Sequence, residues 1–118
     1  MRNEFKNKYS IDERKSESSR ILKKHDDRVP VIVTKSKKAT IGKIDKNKFL
    51  VPDELTIGQF LFIIRKRLKI EPEVAVFILI DDNVIPPTSS SMSSVYKDYK
   101  DEDGFLYLSY CGENVFGN

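Results

Sequence analysis

The chain has 118 residues, of which 39% are hydrophobic and 33% charged, with a formal net charge of +3 at pH 7. This composition indicates one soluble globular domain and excludes a disordered chain. No apolar run approaches the roughly 20 residues of a membrane-spanning helix, and a single cysteine, Cys111, excludes an internal disulfide framework. A reducing cytosolic or nuclear setting fits best, and the segment after Met1 does not resemble a secretion signal.

The first half of the chain predicts a surface helix followed by two strands. Residues 12–25 are charged and have few large apolar side chains, so this helix must lie on the surface of another element. Residues 29–33 are mostly β-branched and predict a strand, with Pro30 at its start or on an edge. A lysine-rich loop is expected over residues 35–47 and a second short strand over residues 48–51.

The second half begins with an amphipathic helix. Thr56 and Gln59 have the spacing of a capping box at its start, and the cations Arg65-Lys66-Arg67 suit its C-terminal turn. One stripe of apolar side chains follows the 3.6-residue period and consists of Ile57, Phe60, Leu61, Ile64 and Leu68. Every residue of Val76–Ile80 is apolar, which predicts a central strand buried on both faces.

A short helix is expected over Met92–Tyr99 and a final strand over Phe105–Tyr110, with Leu106 and Leu108 on one face and Phe105 on the other. A four-stranded sheet wrapped around the one long helix would bury its apolar stripe, which is the architecture of the β-grasp, as in ubiquitin. The predicted fold class is therefore α+β: a ubiquitin-like β-grasp with a four-stranded mixed sheet and an N-terminal two-helix extension.

The chain divides into a helical extension over residues 1–28 and a ubiquitin-like domain over residues 29–118, with a flexible tail over about residues 112–118. That tail ends on Phe116, Gly117 and Asn118. Glycine has no Cβ and can thread a narrow channel, so the tail suits a chain end that enzymes handle as a substrate. A frayed terminus is the commoner interpretation of three such residues alone.

The charges are unevenly distributed along the chain. Residues 29–70 carry ten Lys/Arg against three Asp/Glu, whereas residues 71–118 carry two against nine. This asymmetry predicts one cationic face, whose partner would be nucleic acid, an anionic membrane or an acidic peptide.

No pattern typical of an enzyme is found. The one histidine, His25, and the one cysteine, Cys111, lie far apart in sequence, so no nucleophile–base pair is predicted. The acidic turns at residues 81–82 and 101–103 lack the spacing of a calcium loop, and the scattered glycines form no phosphate loop. The sequence predicts a binding module or a substrate, with no bound metal and no cofactor.

Seven motifs spread along the chain carry a family resemblance. They are Arg28–Val33, Lys48–Pro52, Gly58–Phe60, Ile64–Arg67, Pro86–Thr88, Lys100–Tyr107 and Gly112–Asn114. In this order they resemble the autophagy-related protein 8 family of ubiquitin-like modifiers, which includes the GABA-A receptor-associated protein. The resemblance covers essentially the whole chain. Three sites depart from it. His25-Asp26 stand where relatives commonly have an aromatic residue and a proline, Ser10 stands in place of a proline, and the turn at residues 81–83 is one residue longer than usual.

The resemblance implies conjugation at the tail. A processing cysteine protease would grip Phe116 and cleave after Gly117, which removes Asn118. A ubiquitin-activating-like and a conjugating-like enzyme would then pass the Gly117 carboxylate along as thioesters, and the product would be an amide with phosphatidylethanolamine. The protein is accordingly expected in the cytoplasm and on the autophagosomal membrane, where two acyl chains anchor firmly.

The resemblance also implies a docking site for cargo receptors and adaptors that carry an acid-flanked aromatic-x-x-aliphatic motif, added as a strand beside the second strand. The aromatic pocket would consist of Glu17, Ile21, Pro30, Lys48, Leu50 and Phe105. The aliphatic pocket would consist of Phe49, Val51, Pro52, Leu55, Phe60 and Ile63. The acidic flank would be contacted by Lys46 and Arg67.

The residue pattern bears on this docking site directly. Phe49, Leu50 and Val51 are consecutive and apolar, so a strand must point some of them away from the core. Exposed apolar groups here, together with Phe105, would suit an acidic, hydrophobic peptide because lysines rim them. The alternative is that these residues are core contacts. This alternative is strong for Phe60, because Phe60 lies on the apolar stripe of the predicted helix.

Other interpretations stay open at this point. Arg28 is either structural, paired with an acid, or used by the conjugation enzymes. The chain could instead be a non-conjugated adaptor for intracellular trafficking or microtubule association, in which the basic segment binds acidic tubulin tails. A small nucleic-acid binder is a third class, but no aromatic stacking surface is arranged with the basic residues, so no nucleic acid is expected.

Overall fold

Four strands and four helices make up the part of the chain that the computed structural model describes, residues 4–37 and 41–112. In chain order they are α1 (Glu4–Lys8), α2 (Ile11–Lys24), β1 (Arg28–Lys35), β2 (Lys48–Pro52), α3 (Ile57–Leu68), β3 (Val76–Ile80), α4 (Met92–Tyr99) and β4 (Leu106–Gly112). The predicted ubiquitin-like α+β fold, with two helices before the sheet, is confirmed.

The strands form one mixed sheet in the order β2-β1-β4-β3, in which β1 and β4 are parallel and the outer pairs antiparallel. The prediction that Val76–Ile80 is a central strand is wrong, since β3 lies at an edge. Its Leu79 and Ile80 point to opposite faces and are both buried. The apolar run is explained by burial of both faces of β3. Such burial does not require a hydrogen-bonded strand on each side.

Each face of the sheet carries its own hydrophobic core. On one face, Phe60 and Ile64 of α3 pack against side chains such as Val31 and Leu108. On the other face, α1 and α2 cover a smaller cluster that consists of Phe5, Ile21, Ile32, Phe105 and Tyr107. The sparse apolar side chains of the N-terminal helices are thus used against the sheet, as the sequence predicts.

Both long helices begin with a capping box. The Thr56 hydroxyl accepts from the Gln59 N–H at 3.1 Å while the Gln59 side chain accepts from the Thr56 N–H at 2.9 Å, as predicted. Ser10 and Glu13 do the same at the start of α2, with distances of 3.1 and 2.8 Å. Ser10, which departs from the family pattern, therefore stabilises the helix by satisfying an N–H that lacks an intrahelical partner.

A buried carboxylate fastens α2 to the loop before β4. Asp103, only 1% exposed, accepts from the Arg14 guanidinium at 3.0 Å and from the Tyr107 hydroxyl. Ser18 Oγ donates to the Asp103 carbonyl at 2.6 Å. Gly104 has a φ of +90°, and a Cβ there would lie 2.3 Å from Ser18 Oγ, so only glycine allows α2 to approach this closely.

Replacing Asp103 by alanine is expected to destabilise the fold by about 3–5 kcal/mol, because it leaves the buried Arg14 charge without its partner. The measurement is urea-induced unfolding followed by circular dichroism. The matched control is Asp45→Ala, which removes an exposed pair with Arg67 and is expected to cost about 1 kcal/mol or less. Equal losses in the two variants would contradict the assigned role of Asp103.

Candidate peptide-docking edge

Within residues 4–37 and 41–112, no strand pairs with the outer edge of β2. The Val33 N–H donates to the Asn47 carbonyl at 2.7 Å, which fixes the phase of the antiparallel β1–β2 ladder. Because hydrogen-bonded and non-hydrogen-bonded positions alternate, the backbone groups of Lys48 and Leu50 point away from β1. These outward N–H and C=O groups form a template onto which an extended peptide can add.

The surface between this edge and α2, which we call the α2–β2 cleft, is bounded by Lys48 and Glu17. Its base belongs to the smaller core, in which Ile21 is 1% exposed and Phe105 is fully buried. Leu50 packs on that core while remaining only partly buried, and Lys48 from the same strand face reaches Glu17 on α2. Pro30 lies opposite Leu50 in the ladder. All six residues predicted for the aromatic pocket are therefore brought to this side of the sheet.

Glu17 is held as a carboxylate at the mouth of this cleft. Arg20 donates to both of its oxygens at 3.0 and 2.9 Å, and Lys48 Nζ lies 2.7 Å from Oε2. Hydrogen bonds from Arg20 and from Lys48 lower the pKa of Glu17 to about 2. Sequence reasoning missed Arg20, although its position three residues after Glu17 on a helix is the spacing of a favourable ion pair.

A second apolar surface lies on the opposite face, between β2 and α3. Ile63 is 37% exposed, Leu55 is partly buried and Pro52 is exposed at the end of β2. The two predicted flank residues also lie here, since Lys46 Nζ and Arg67 Cζ stand 4.9 and 5.7 Å from the Phe49 ring centroid. The open edge of β2 is thus flanked by an apolar surface on each face of the sheet.

The expectation that Phe49 and Phe105 are exposed apolar groups is wrong. Phe49 is 6% exposed and its ring packs edge-on against Phe60 at 5.5 Å, while Phe105 is fully buried and meets Phe5 at 5.1 Å. The reason is that helices cover both faces of the sheet. Phe49 and Phe105, like Val51 and Phe60, are therefore buried beneath the candidate docking surface. The accessible apolar surface comes from Leu50, Leu55 and Ile63.

Arg28 is exposed, and its guanidinium donates to the Leu50 carbonyl at 3.3 Å. The prediction that Arg28 pairs with an acid is not borne out among the described residues, where its guanidinium donates to the Leu50 carbonyl instead. Its position places a cation beside the open edge of β2. The strand itself begins at Arg28, one residue before the predicted boundary.

The predicted conjugation residues Phe116, Gly117 and Asn118 lie outside the described residues. Within residues 4–37 and 41–112, no helix is long and apolar enough to cross a membrane. The same residues contain no group of three acidic, histidine or cysteine side chains that could hold a metal ion. Cys111 is buried, and its burial raises the pKa of the thiol, which disfavours the reactive thiolate.

The family model described as "Autophagy protein Atg8 ubiquitin like" matches residues 13–117 of this chain. The chain belongs to the Atg8 family. The Autophagy-related protein 8 of Coccidioides immitis is 53% identical over 118 residues, which cover the whole of both chains. That of Colletotrichum lindemuthianum is 54% identical over 117 residues, or 99% of this chain and 96% of the relative.

Solved structures agree with this assignment. The crystal structure of Trypanosoma brucei ATG8 superposes with a TM-score of 0.90 at 41% identity, covering 96% of this chain and 97% of that one. The resemblance of the sequence motifs is therefore confirmed. This Atg8 protein is a ubiquitin-like autophagy protein.

Glu17→Gln is expected to lower the free energy of unfolding at pH 7 by no more than about 1 kcal/mol, because its partners are largely exposed. The folded pKa lies below the ordinary value of 4.5, so the carboxylate's contribution is present above that value and lost as the pH falls toward 2. Urea unfolding of both proteins at several pH values from 7 to 3 checks this. A difference that stays constant or grows over that range would contradict it.

Proposed function

We propose that this Atg8 protein is a ubiquitin-like modifier, not an enzyme, that displays a docking edge for receptor peptides on the autophagosomal membrane. The observation that carries the proposal is the open edge of β2 with an apolar cleft on each side. Cargo receptors and adaptors would present an aromatic-x-x-aliphatic motif, and the Lys46, Lys48 and Arg67 cations would attract its acidic flank. The protein would act in autophagosome formation and cargo recruitment.

The spacing of the motif follows from strand geometry. Successive side chains of an extended peptide point to opposite faces, so residues separated by three positions also point to opposite faces. A peptide paired with Lys48 and Leu50 would therefore send its aromatic side chain into the α2–β2 cleft and its aliphatic side chain toward Leu55 and Ile63. A motif with its two anchors two residues apart would place both on one face and leave the other cleft unfilled.

Docking is tested by calorimetry with an acidic peptide that contains Trp-x-x-Leu. Leu50→Ala and Ile63→Ala, on opposite faces of the edge, are each expected to weaken binding at least about tenfold, as is usual for an anchor contact. Lys48→Ala combined with Leu50→Ala should weaken it further without unfolding the domain. Val84→Ala, an equally exposed apolar residue away from β2, is the matched control.

The peptide itself supplies a second control. A Trp-x-Leu variant with the same composition is expected to bind at least about tenfold more weakly, because its anchors share one face. Equal affinity for the two spacings, or unchanged affinity of the Leu50 and Ile63 variants, would rule out the proposed binding mode.

We further propose that the chain is cleaved after Gly117 and joined there covalently to phosphatidylethanolamine. The family model ends its match at Gly117 and leaves Asn118 outside, which supports this position. A carboxylate can be activated only when it is free, so Asn118 would keep the precursor inert. The partners would be a processing cysteine protease followed by activating-like and conjugating-like enzymes.

Intact mass spectrometry of the chain in cells with autophagy machinery tests the conjugation. The full chain is expected to lose Asn118 and gain a phosphatidylethanolamine, whereas Gly117→Ala should gain none. A chain that ends at Gly117 should become lipidated even where the protease is absent, which separates cleavage from conjugation. A tail that stays intact would instead favour a non-conjugated trafficking or microtubule adaptor, and full lipidation of Gly117→Ala would exclude Gly117 as the site.

A further inference from the structure

Basic side chains gather at the end of the sheet from which the tail leaves. Lys35 of β1 lies beside Tyr110 of β4, and Val76 of β3 lies beside Gly112, the last described residue. The Tyr110 hydroxyl also accepts from the Ile44 N–H at 2.8 Å and donates to the Gly42 carbonyl at 2.8 Å. Residues 42–44, which include Lys43, are thus held at the same end.

The C-terminus of α3 adds more cations there. Arg65 donates to the carbonyls of Val74 and Glu71 at 2.6 and 3.1 Å, just before β3 begins, and Arg67 pairs with Asp45 at 3.1 Å. We call this region the basic end. Its exposed cations are Lys35, Lys37, Lys43, Lys66 and Lys69, together with Lys46 and Arg67, which border the docking edge.

Acidic groups at the basic end only partly offset these cations. Glu4 lies 3.6 Å from Lys43, Asp45 pairs with Arg67, and Glu71 and Glu73 follow α3. Asp82 accepts from Ser109 Oγ at 2.9 Å and lines a cleft with Lys35. A cleft of about 750 Å³ opens here, lined by several of the lysines together with Glu4 and Asp45. The field of the region is therefore positive.

The opposite end of the sheet carries charges of both signs, since Lys23, Lys24 and Arg28 are exposed there beside Asp26 and Asp27. The Asp53 N–H donates to the Asp27 carbonyl at 3.0 Å beside the Arg28–Pro52 end of the β1–β2 ladder. Of the acidic residues 101–103 that precede β4 at that end, Asp103 is buried against Arg14 and Asp101 pairs with Lys6. The excess of exposed cations therefore lies at the end where the chain continues toward Gly117.

The length of the tail ties that end to any lipid attached at Gly117. Gly117 is five residues beyond Gly112, and five residues span at most about 17 Å even when fully extended. Resting on the proposed conjugation, the lipid would hold Gly112 within about that distance of the bilayer. The molecule itself measures 39 × 30 × 23 Å, so the end nearest the tail is the one kept close to the lipid headgroups.

We propose that the basic end docks on an anionic phospholipid surface and so orients the protein on the membrane. Exposed lysines and arginines near a bilayer are attracted by anionic headgroups within about a Debye length of the surface. An electrostatic contact of this kind adds to a lipid anchor, and it requires no particular headgroup geometry.

The test uses the full, unconjugated chain, so its outcome does not depend on whether conjugation occurs. Binding is measured by co-sedimentation with vesicles of phosphatidylcholine alone or with about one third phosphatidylserine, at low and physiological salt. The chain is expected to bind only the anionic vesicles and to lose affinity as salt rises, since added ions shorten the Debye length from about 30 Å at 0.01 M to about 8 Å at 0.15 M.

A charge-matched pair of variants locates the surface. Lys37→Glu with Lys43→Glu and Lys66→Glu is expected to reduce binding at least about tenfold, because each reversal replaces an attraction near the headgroups by a repulsion. The control reverses three exposed lysines that lie outside the basic end, Lys23, Lys24 and Lys97. It carries the same net charge and should keep affinity within about threefold of the original chain.

Three results would overturn the proposal. The first is no binding of the original chain to anionic vesicles at low salt, and the second is an equal loss in the two triple variants. The third is displacement of the vesicles by single-stranded RNA bound through the same lysines, which would assign the surface to nucleic acid. The vesicle measurements use the unconjugated chain, so a failure of lipidation at Gly117 would not change them. The two proposals can therefore fail independently.

Discussion

Burial of both faces of the parallel β1–β4 pair is the constraint on which the rest of the structure depends. Valines and leucines of the pair face α3 on one side, while Ile32 and Tyr107 face the N-terminal helices on the other. A central pair with two apolar faces cannot be left half covered in water. The two helices before β1 are therefore part of the folded unit, even though their own apolar surface is small.

This two-sided coverage also creates the docking edge. With helices over both faces, the sheet can meet a partner only along its outer strands, and each helix forms one wall of a cleft beside β2. The position of α2 consequently decides the shape of one cleft. That position is set by the Arg14–Asp103 pair and by the close approach of Ser18 to Gly104. A buried ion pair of this kind fixes one geometry more than it adds stability.

The sequence predicted most of the fold because its local signals agree with one another. The capping residues Thr56 and Gln59 and the apolar stripe of α3 mark one helix unambiguously. The strand order could not be predicted in the same way, because the apolar side chains of β3 show that its faces are covered but not which strands lie beside it. Exposure of Phe49 and Phe105 could not be judged from alternation alone, since both faces are buried. The pairing of Arg14 with Asp103 joins residues 89 positions apart, and no local pattern encodes it.

The lysines along the β2 edge have a consequence for self-association of the protein. A strand edge with free N–H and C=O groups can pair with the same edge of a second copy, which is how sheet proteins self-associate. Lys46 and Lys48 would then meet their counterparts at close range, where like charges repel. Two copies that approached each other along this edge would therefore repel, and each edge would stay available to an acidic ligand.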